Sequence, residues 1–438
     1  MLQGMKKAFF KPVMDGLEKA SAAKTARLIF AFFFLSRCLF KWVTGHDNFE
    51  LFGDSYRYDI FSDQLLSGNF NLDGFAFIIA PLYPYFLAGM KLLFGAYWQT
   101  AAVVVQFAVV SWSGVWLYRL ALLVFQRRSV ALLTAIFYGL FPNTLWLNYT
   151  LSQETLFQSF FIGSVYYLVA ALKDSKDALI RSAVLFSLAF LTKSHCLLYS
   201  PFIALLFLLQ KKRPFSRRLY RATLYAVICL AFTVPYGLYN LRVNGLYVLS
   251  STGFGSNFHM HHSDEGYKET FPVVDSLTGQ RIPGILFAFY RDYDFGKYGK
   301  VNRLPQKEMQ AMHWRMAREW ISANPRKFLE LKWFAFRRFF TPGLSKAHYP
   351  FNTWLASFLL GLPVYMLAYF GLWKAFRTHM QDHWWMAFLV FTLFFFFVFF
   401  WPMSRFRTIT LEPFYLMYAA YALENLLNRY REKDGAKT

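Results

Sequence analysis

Apolar residues occur along this chain in long runs that are separated by short polar and basic segments. The first run, "ARLIFAFFFLSRCLFKWV", begins at Ala26. A helix needs about 20 mainly apolar residues to cross a bilayer, so this run predicts a membrane-spanning helix. Similar runs predict further spans at about 99–124, 130–149, 154–172, 180–193, 195–210, 219–240, 352–373, 384–401 and 406–426. The pattern indicates an all-α polytopic membrane protein with about ten transmembrane helices.

The distribution of Lys and Arg predicts which loops face the cytoplasm. Basic loops are retained on that side, and the basic segments are "QRRS", "KDSKDALIR", "KKRPFSRRLYR", "KAFRTH" and the tail "NRYREKDGAKT". Both termini are then cytoplasmic, and a first outer loop is expected at about 45–98. The predicted domains are an N-terminal membrane region (1–240), a mainly helical outer segment (241–351) and C-terminal membrane helices (352–438).

Two stretches in the outer regions have their own predictions. "APLYPYFLAGMKLLFG", residues 80–95, contains two prolines and Lys91. A span there would place the later basic loops outside, so we interpret it as interfacial or re-entrant. In the outer segment, Asn324 followed by Pro325 predicts an N-cap and first turn between two amphipathic helices. The aromatic faces of these helices are expected to lie on the membrane or on the spans.

Composition supports the membrane interpretation. Hydrophobic residues make up 56% of the chain and charged residues 16%, which leaves too little polar surface for a soluble protein of 438 residues. The net charge of +22 comes from clusters between apolar runs. Such clusters indicate membrane topology and not a nucleic-acid surface. The three cysteines all lie in apolar runs and imply no disulfide framework.

Ionisable residues recur at the predicted outer ends of the spans. The stretch "LFGDSYRYDIFSDQLLSGN" places Asp54, Asp59 and Asp63 directly after the first span. Basic residues on the outer side oppose the usual charge bias, so together they suggest an anionic ligand at the outer membrane surface. Taken singly, a basic residue at a helix end can also simply extend to the interface. The basic residues concerned are Arg37, Lys41, Lys193, Arg242, Arg405 and Arg407.

This combination suits the transfer of a sugar from a lipid phosphate to a hydroxyl group. The acceptor oxygen loses a proton as it attacks the anomeric carbon, and an Asp carboxylate can accept that proton. A departing phosphate needs cations and not a protonating acid. One base and a basic clamp therefore suffice, and direct displacement would invert the anomeric centre.

Six motifs also carry a resemblance to a known family. They are "GDSYRYDIFSDQLLSGN" with "PLYPYFLAGMKLLFG", "FPNTLWLNYTLSQETLF", "LAFLTKSHCLLYSPFIALL", "PYGLYNLRVNGLYVLSSTGFGSNF" and "SRFRTITLEPFYLMYAAYAL". In this order they resemble the GT-C polyprenyl-phosphate-sugar glycosyltransferases, particularly the branch of protein O-mannosyltransferases and lipid A aminoarabinose transferases. The chain departs from some relatives in having Ile79 and Ala80 before Pro81 in place of a Glu-Lys pair. Aminoarabinose specificity and a metal at that place are therefore not implied.

The resemblance implies roles for particular residues. Asp54 matches the catalytic aspartate, with Tyr58 as its neighbour, and Glu154 matches an acidic position used for substrate or metal contacts. The lipid phosphate is expected near Arg407, Lys193 and Arg242. Asn257 matches a loop near the sugar, and the substrate-binding candidates are completed by His259 and Arg405.

The histidine-rich stretch "NFHMHHSDE", residues 257–265, could in principle ligate zinc, but its spacing is not that of a metal signature. We assign no metal ligand and no cofactor, and a divalent metal stays open.

Two other function classes remain as alternatives. A transporter or flippase would show inverted repeats and ionisable residues near the midplane, and a polysaccharide ligase or polymerase would use a diphosphate-linked donor. The favoured prediction is a glycosyltransferase of the bacterial inner membrane, with its site facing the periplasm. Its partners would be a polyprenyl-phosphate sugar, a glycan, lipid or protein acceptor, and the bilayer.

Overall fold

The structure is a computed structural model. It describes residues 21–44, 54–68, 79–173, 175–251, 253–271, 304–343, 351–400 and 402–435. All regular elements among these residues are helical, so the predicted all-α class is confirmed for the described part of the chain. The predicted division into three regions, 1–240, 241–351 and 352–438, stays a prediction.

Seventeen α-helices are described. In chain order they are α1 (Ala22–Thr44), α2 (Asp54–Leu66), α3 (Leu82–Phe94), α4 (Trp98–Phe125), α5 (Arg128–Leu140), α6 (Pro142–Tyr149), α7 (Gln153–Leu172), α8 (Lys176–Thr192), α9 (Ser200–Leu208), α10 (Phe215–Asn244), α11 (Phe254–His261), α12 (Asp264–Thr270), α13 (Gln306–Ala323), α14 (Pro325–Phe340), α15 (Phe351–Phe399), α16 (Ser404–Thr410) and α17 (Glu412–Gly435). Two 3₁₀ helices, Gly95–Tyr97 and Ser194–Tyr199, precede α4 and α9.

Four described helical stretches are long and apolar enough to cross a membrane, and a fifth is added if the bent pair α5 and α6 counts as one span. The four are Leu82–Phe125, Gln153–Leu172, Phe215–Val243 and Trp354–Phe399. Helix α1 has 23 residues but also carries the basic residues Lys24, Arg27, Arg37 and Lys41. The apolar helices make this a multi-pass membrane protein.

Two of these stretches are long enough for more than one crossing. At 1.5 Å per residue, the 46 residues of Trp354–Phe399 extend for roughly 70 Å, about twice the hydrocarbon thickness. His379 has non-helical backbone angles (φ −146°, ψ 59°) and divides α15 into two helices across a kink. This position lies between the spans predicted at 352–373 and 384–401.

The region around Lys193 differs from the sequence prediction. Helix α8 ends at Thr192, and the apolar helix that follows covers only Ser194–Leu208. Its first part is 3₁₀ and α9 has nine residues, so this helix is shorter than the usual crossing of about 20 residues. The stretch predicted as interfacial, residues 80–95, forms α3 and continues through a 3₁₀ turn into α4.

Helix packing brings the start of α7 beside the end of α8. Helix α7 packs between α4 and α8, and α8 also contacts α10. On the other side of the core, α15 packs along α17 at very short range. A β-carbon at Gly371 would overlap the carbonyl oxygen of Tyr418, so only glycine allows this approach of the two backbones.

At the junction of α13 and α14, the predicted first-turn proline is confirmed and the predicted N-cap is not. Pro325 occupies the first turn of α14, where its missing N–H group costs nothing. Asn324 does not cap α14 with its side chain. Its amide instead donates to the carbonyl oxygen of Trp320 at 3.0 Å, which completes the end of α13.

Arg407 fastens α16 to the end of α14. Its side chain is 0% exposed, and its Nη1 donates to the carbonyl oxygens of Arg338, Phe339 and Thr341 at 2.9, 2.9 and 2.7 Å. Its Nε lies 3.5 Å from Oε1 of Glu412, which is also buried. These contacts occupy the guanidinium group within the protein. They give Arg407 a structural role, and its predicted part in binding the donor phosphate stays a prediction.

We expect Arg407→Met to lower the melting temperature of the purified protein strongly. The change leaves three carbonyl groups without their donor and Glu412 without its cation, and breaking a buried ion pair costs about 3–5 kcal/mol. Arg377→Met, at an exposed position on α15, is the control. A parental melting temperature combined with weakened donor binding would favour the phosphate assignment over a structural role.

Candidate functional site

Four charged side chains from distant parts of the chain form one cluster. Nζ of Lys193 lies 2.9 Å from Oε1 of Glu154. Arg405 contacts both carboxylates, with Nη2 at 2.9 Å from Oδ2 of Asp54 and Nη1 at 3.6 Å from Oε1 of Glu154. The structure thus brings together four of the nine site residues that the sequence predicted.

Each member of the cluster is held at the end of a helix. Asp54 is the first residue of α2, Glu154 is in the first turn of α7, and Lys193 follows the last residue of α8. Arg405 is the second residue of α16. The two acids lie at helix N-termini, where the helix dipole favours negative charge.

The cluster has a buried side and a more open side. Glu154 and Lys193 have side chains that are only 2% and 5% exposed, whereas those of Asp54 and Arg405 are 26% and 34% exposed. Two buried charges need each other because desolvation of an unpaired ion is costly. The Glu154–Lys193 pair therefore belongs to the framework, and Asp54 with Arg405 forms the edge that a substrate could reach.

Gln153 joins this cluster to Tyr58 and was missed in the sequence. A carbonyl oxygen only accepts and an ammonium only donates, so the amide nitrogen of Gln153 faces the carbonyl of Thr192 at 2.6 Å. The amide oxygen then accepts from the hydroxyl of Tyr58 at 2.9 Å and from Lys193 at 3.2 Å. The sequence could have indicated Gln153 by its position directly before Glu154, at the start of a predicted helix.

Tyr58 lies inside the protein beneath the open edge. It is buried, and its ring meets that of Tyr83 edge to face at 5.0 Å. Burial first, and then the nearby carboxylate of Asp54, raises the pKa of the Tyr58 hydroxyl well above its usual value of 10. Tyr58 therefore stays a phenol and acts as a hydrogen-bond donor.

The other two acids of the opening helix are paired with Lys91. Its Nζ lies 2.6 Å from a carboxylate oxygen of both Asp59 and Asp63 and 4.8 Å from the ring centroid of Trp98. These contacts fasten α2 to α3. Asp59 is largely covered, whereas the side chain of Asp63 is 65% exposed, and both belong to this ion-pair group.

Arg37 is an internal residue and not an interfacial one. Its side chain is buried, and it donates to Oδ1 of Asn148 at 3.2 Å and to the carbonyl oxygen of Gly139 at 2.9 Å. Gly139 lies in the last turn of α5 and Asn148 in the last turn of α6, on either side of the break at Phe141, which has extended backbone angles. Arg37 thus stabilises the bend of 55° between these helices.

The remaining predicted residues lie outside this cluster. Arg242 is exposed in the last turn of α10. Asn257 and His259 lie on α11, where His259 is buried with its Nδ1 at 3.1 Å from Nδ1 of His313 on α13. Their proposed roles in substrate binding stay predictions.

A lysine on α14 joins the histidine-rich stretch to the end of α15. Nζ of Lys332 lies 2.6 Å from Nε2 of His262 and donates to the carbonyl oxygens of Val398 and Phe399 at 3.1 and 3.2 Å. Nδ1 of His262 faces the carbonyl of Phe258 at 2.8 Å, so Nδ1 carries the proton and Nε2 accepts from Lys332. Burial lowers the pKa of the Lys332 amine to about 7.

Within the parts of the chain that the structure describes, no three His, Cys, Asp or Glu side chains are grouped so as to hold a metal ion. No residue is therefore assigned as a metal ligand.

Part of the chain matches a known family. The family model for dolichyl-phosphate-mannose-protein mannosyltransferases matches residues 79–239. This match confirms the resemblance to the GT-C superfamily. The matched range includes Glu154 and Lys193. Asp54 and Arg405 lie outside the matched range, and the fold brings them beside these two residues. No curated protein and no solved structure matches the chain. The family match supports a membrane glycosyltransferase that uses a polyprenyl-phosphate sugar, and the branch within the superfamily stays a prediction.

We expect Lys332→Met to flatten the pH dependence of thermal stability. With a pKa of about 7 in place of the usual 10.5, Lys332 binds fewer protons in the folded protein than in the unfolded chain between these values. The folded state therefore gains stability as the pH rises through this window. Relative to the variant, the parental melting temperature should increase from about pH 7 to about pH 9.5.

Lys327→Met provides the control, because the side chain of Lys327 is 41% exposed and pairs with Asp264. An identical pH dependence in the parental protein and in Lys332→Met would contradict the lowered pKa.

Proposed function

We propose that this protein transfers a sugar from a polyprenyl-phosphate donor to an acceptor hydroxyl on the outer side of the membrane, with Asp54 as the general base. The observation that carries the proposal is the contact between Asp54 and Arg405 at the open edge of the cluster, 2.9 Å apart. It supports the proposal because a carboxylate suited to accept a proton lies beside a guanidinium group suited to bind phosphate. The family match supports the donor class.

The charge that develops on the leaving phosphate explains the need for Arg405. A polyprenyl-phosphate sugar is a phosphodiester with one negative charge, and the departing polyprenyl phosphate gains a second. A cation held in place before the reaction stabilises this charge most in the transition state. Arg405 can contact the phosphate with two N–H groups, and Lys193 behind it adds a fixed positive charge.

The reaction needs one proton transfer. The acceptor oxygen forms a bond to the anomeric carbon while the bond from that carbon to the phosphate oxygen breaks. The hydroxyl proton passes to the carboxylate of Asp54, and the bonding electrons leave with the polyprenyl phosphate. The attack comes from the face opposite the leaving group, so the product has inverted configuration.

The Asp54–Arg405 pair represents a resting arrangement. The donor phosphate competes with Asp54 for Arg405, and its binding releases the carboxylate towards the acceptor. Glu154 does not take part in this exchange because it is buried and is already held by Lys193. Donor binding therefore precedes activation of the base.

The proposed topology places this site outside the cytoplasm. About ten crossings with both termini cytoplasmic are predicted from the apolar runs and basic loops, and the kinked stretch of 46 residues is consistent with the two spans predicted at 352–373 and 384–401. The outer segment would be 241–351, between the membrane regions 1–240 and 352–438. We propose the bacterial inner membrane with a periplasmic site.

The function can be tested directly with the purified protein in liposomes. A panel of polyprenyl-phosphate sugars is offered with peptide, glycan and glycolipid acceptors, and release of polyprenyl phosphate is measured. We expect release that depends on both donor and acceptor. Movement of intact donor across the bilayer without release would favour a flippase, and activity with diphosphate donors alone would favour a ligase or polymerase.

Asp54→Asn should lower turnover by about 10²–10⁴-fold, the usual contribution of a general base. The amide keeps the shape of the side chain but does not accept the proton. Donor binding should be retained, as measured by equilibrium binding of labelled donor.

Asp63→Asn, on the same helix and paired with Lys91, is the matched control and should keep near-parental turnover. If Asp63→Asn is inactive while Asp54→Asn transfers sugar at the parental rate, the base has been assigned to the wrong carboxylate.

Arg405→Met should weaken donor binding and lower turnover by about 10²–10³-fold, as expected when one charge-stabilising donor is removed. Arg405→Lys should recover part of the loss, because lysine keeps the charge but not the two-pronged contact. Arg242→Met tests the remaining basic candidate in the same assay. A large effect of Arg242→Met with none from Arg405→Met would move the phosphate site to the end of α10.

A further inference from the structure

Gln106 is a fully buried glutamine on α4 whose hydrogen-bonding groups are all engaged. Its Oε1 accepts from the hydroxyl of Tyr83 at 2.7 Å. Its Nε2 donates to the carbonyl oxygens of Thr150 at 3.0 Å and of Asn148 at 3.3 Å. Carbonyl groups only accept, so the amide orientation is fixed and Tyr83 is the donor in its own contact.

These partners lie on the two sides of the charged cluster. Tyr83 packs against Tyr58, one turn along α2 from Asp54. Thr150 is in the short turn that leads to Gln153 and Glu154. Gln106 itself contacts neither carboxylate. It is hydrogen-bonded to Tyr83 on the side of Asp54 and to Thr150 on the side of Glu154.

The contacts close into a ring. From Gln106 the ring passes through Tyr83 to Tyr58, whose hydroxyl donates to Gln153. The backbone from Gln153 back to Thr150 then returns to Nε2 of Gln106. A shift of either side relative to the other breaks at least one buried hydrogen bond, and leaving such a group unsatisfied costs about 1–3 kcal/mol.

We propose that Gln106 is a positioning residue that fixes the distance between Asp54 and the Glu154–Lys193 pair. This inference rests on the proposed transferase function. A displacement of about 1 Å can lower turnover by about 10²-fold when a base and a bound substrate must meet in one geometry. Gln106 acts through Tyr83 and through the turn before α7, and it touches no substrate.

Two substitutions test this role in the transferase assay. Gln106→Met keeps the length of the side chain but removes both kinds of hydrogen bond, and turnover should fall by about 10- to 100-fold. Most of this loss should be in kcat and not in KM for the donor, because Arg405 is unchanged. Tyr83→Phe removes one hydroxyl group and keeps the aromatic contact with Tyr58, so a smaller loss of turnover, about 5-fold, is expected.

Tyr225→Phe is the matched control. Tyr225 is also buried and its hydroxyl lies 3.3 Å from that of Ser182. It does not belong to the ring of contacts that contains Gln106. Turnover should stay at the parental value. Melting temperatures of all variants show whether each protein is folded.

A double-mutant cycle separates positioning from general stability. If Gln106 acts by placing Asp54, then Gln106→Met should have much less effect in an Asp54→Asn background than in the parental protein. Equal effects in both backgrounds, or parental kcat in Gln106→Met, would overturn the inference. If the parental protein itself transfers no sugar from any donor, the proposed function fails and takes this inference with it.

Discussion

The buried ion pair of Glu154 and Lys193 is the interaction on which the site depends. Both charges lie almost entirely out of water, where an unpaired ion is strongly destabilising. The pair therefore ties the first turn of α7 to the residue that follows α8. Gln153, next to Glu154, receives the hydroxyl of Tyr58, and so α2 with Asp54 is fixed to the same point. The open edge of the site is built on this internal contact.

The class of fold could be predicted because long apolar runs with basic ends have few physical solutions other than membrane helices. Breaks within the apolar runs were harder to predict. The run at 195–210 is apolar throughout, but its first six residues form a 3₁₀ helix, and nothing in hydropathy distinguishes that from a full span. Likewise α16 and α17 divide the run predicted at 406–426, since Pro413 directly after Glu412 favours a new helix start.

The four members of the charged cluster were all among the predicted site residues, and their roles stay predictions. Asp54, Glu154, Lys193 and Arg405 were all candidates, because ionisable residues next to apolar runs are rare and need a reason. The sequence did not show that Arg407 is buried while Arg405 belongs to the charged cluster. Residues two apart on a helix point in directions about 200° apart, and only the position of α14 decides which one is internal. In the same way, the pairing of Asp59 with Lys91 depends on how α2 meets α3.

The charge balance of the cluster indicates how a substrate can enter it. Asp54 and Glu154 carry two negative charges, and Lys193 and Arg405 carry two positive ones, so the resting cluster is neutral. Because both cations are already paired with carboxylates, an anionic donor can pair with one of them only if a carboxylate leaves it. Glu154 is buried between Lys193 and Arg405 and has no water to move into, whereas Asp54 is partly exposed at the start of α2. In the proposed mechanism, Asp54 is therefore the carboxylate that the donor displaces, and the group that donor binding frees is the one proposed as the base.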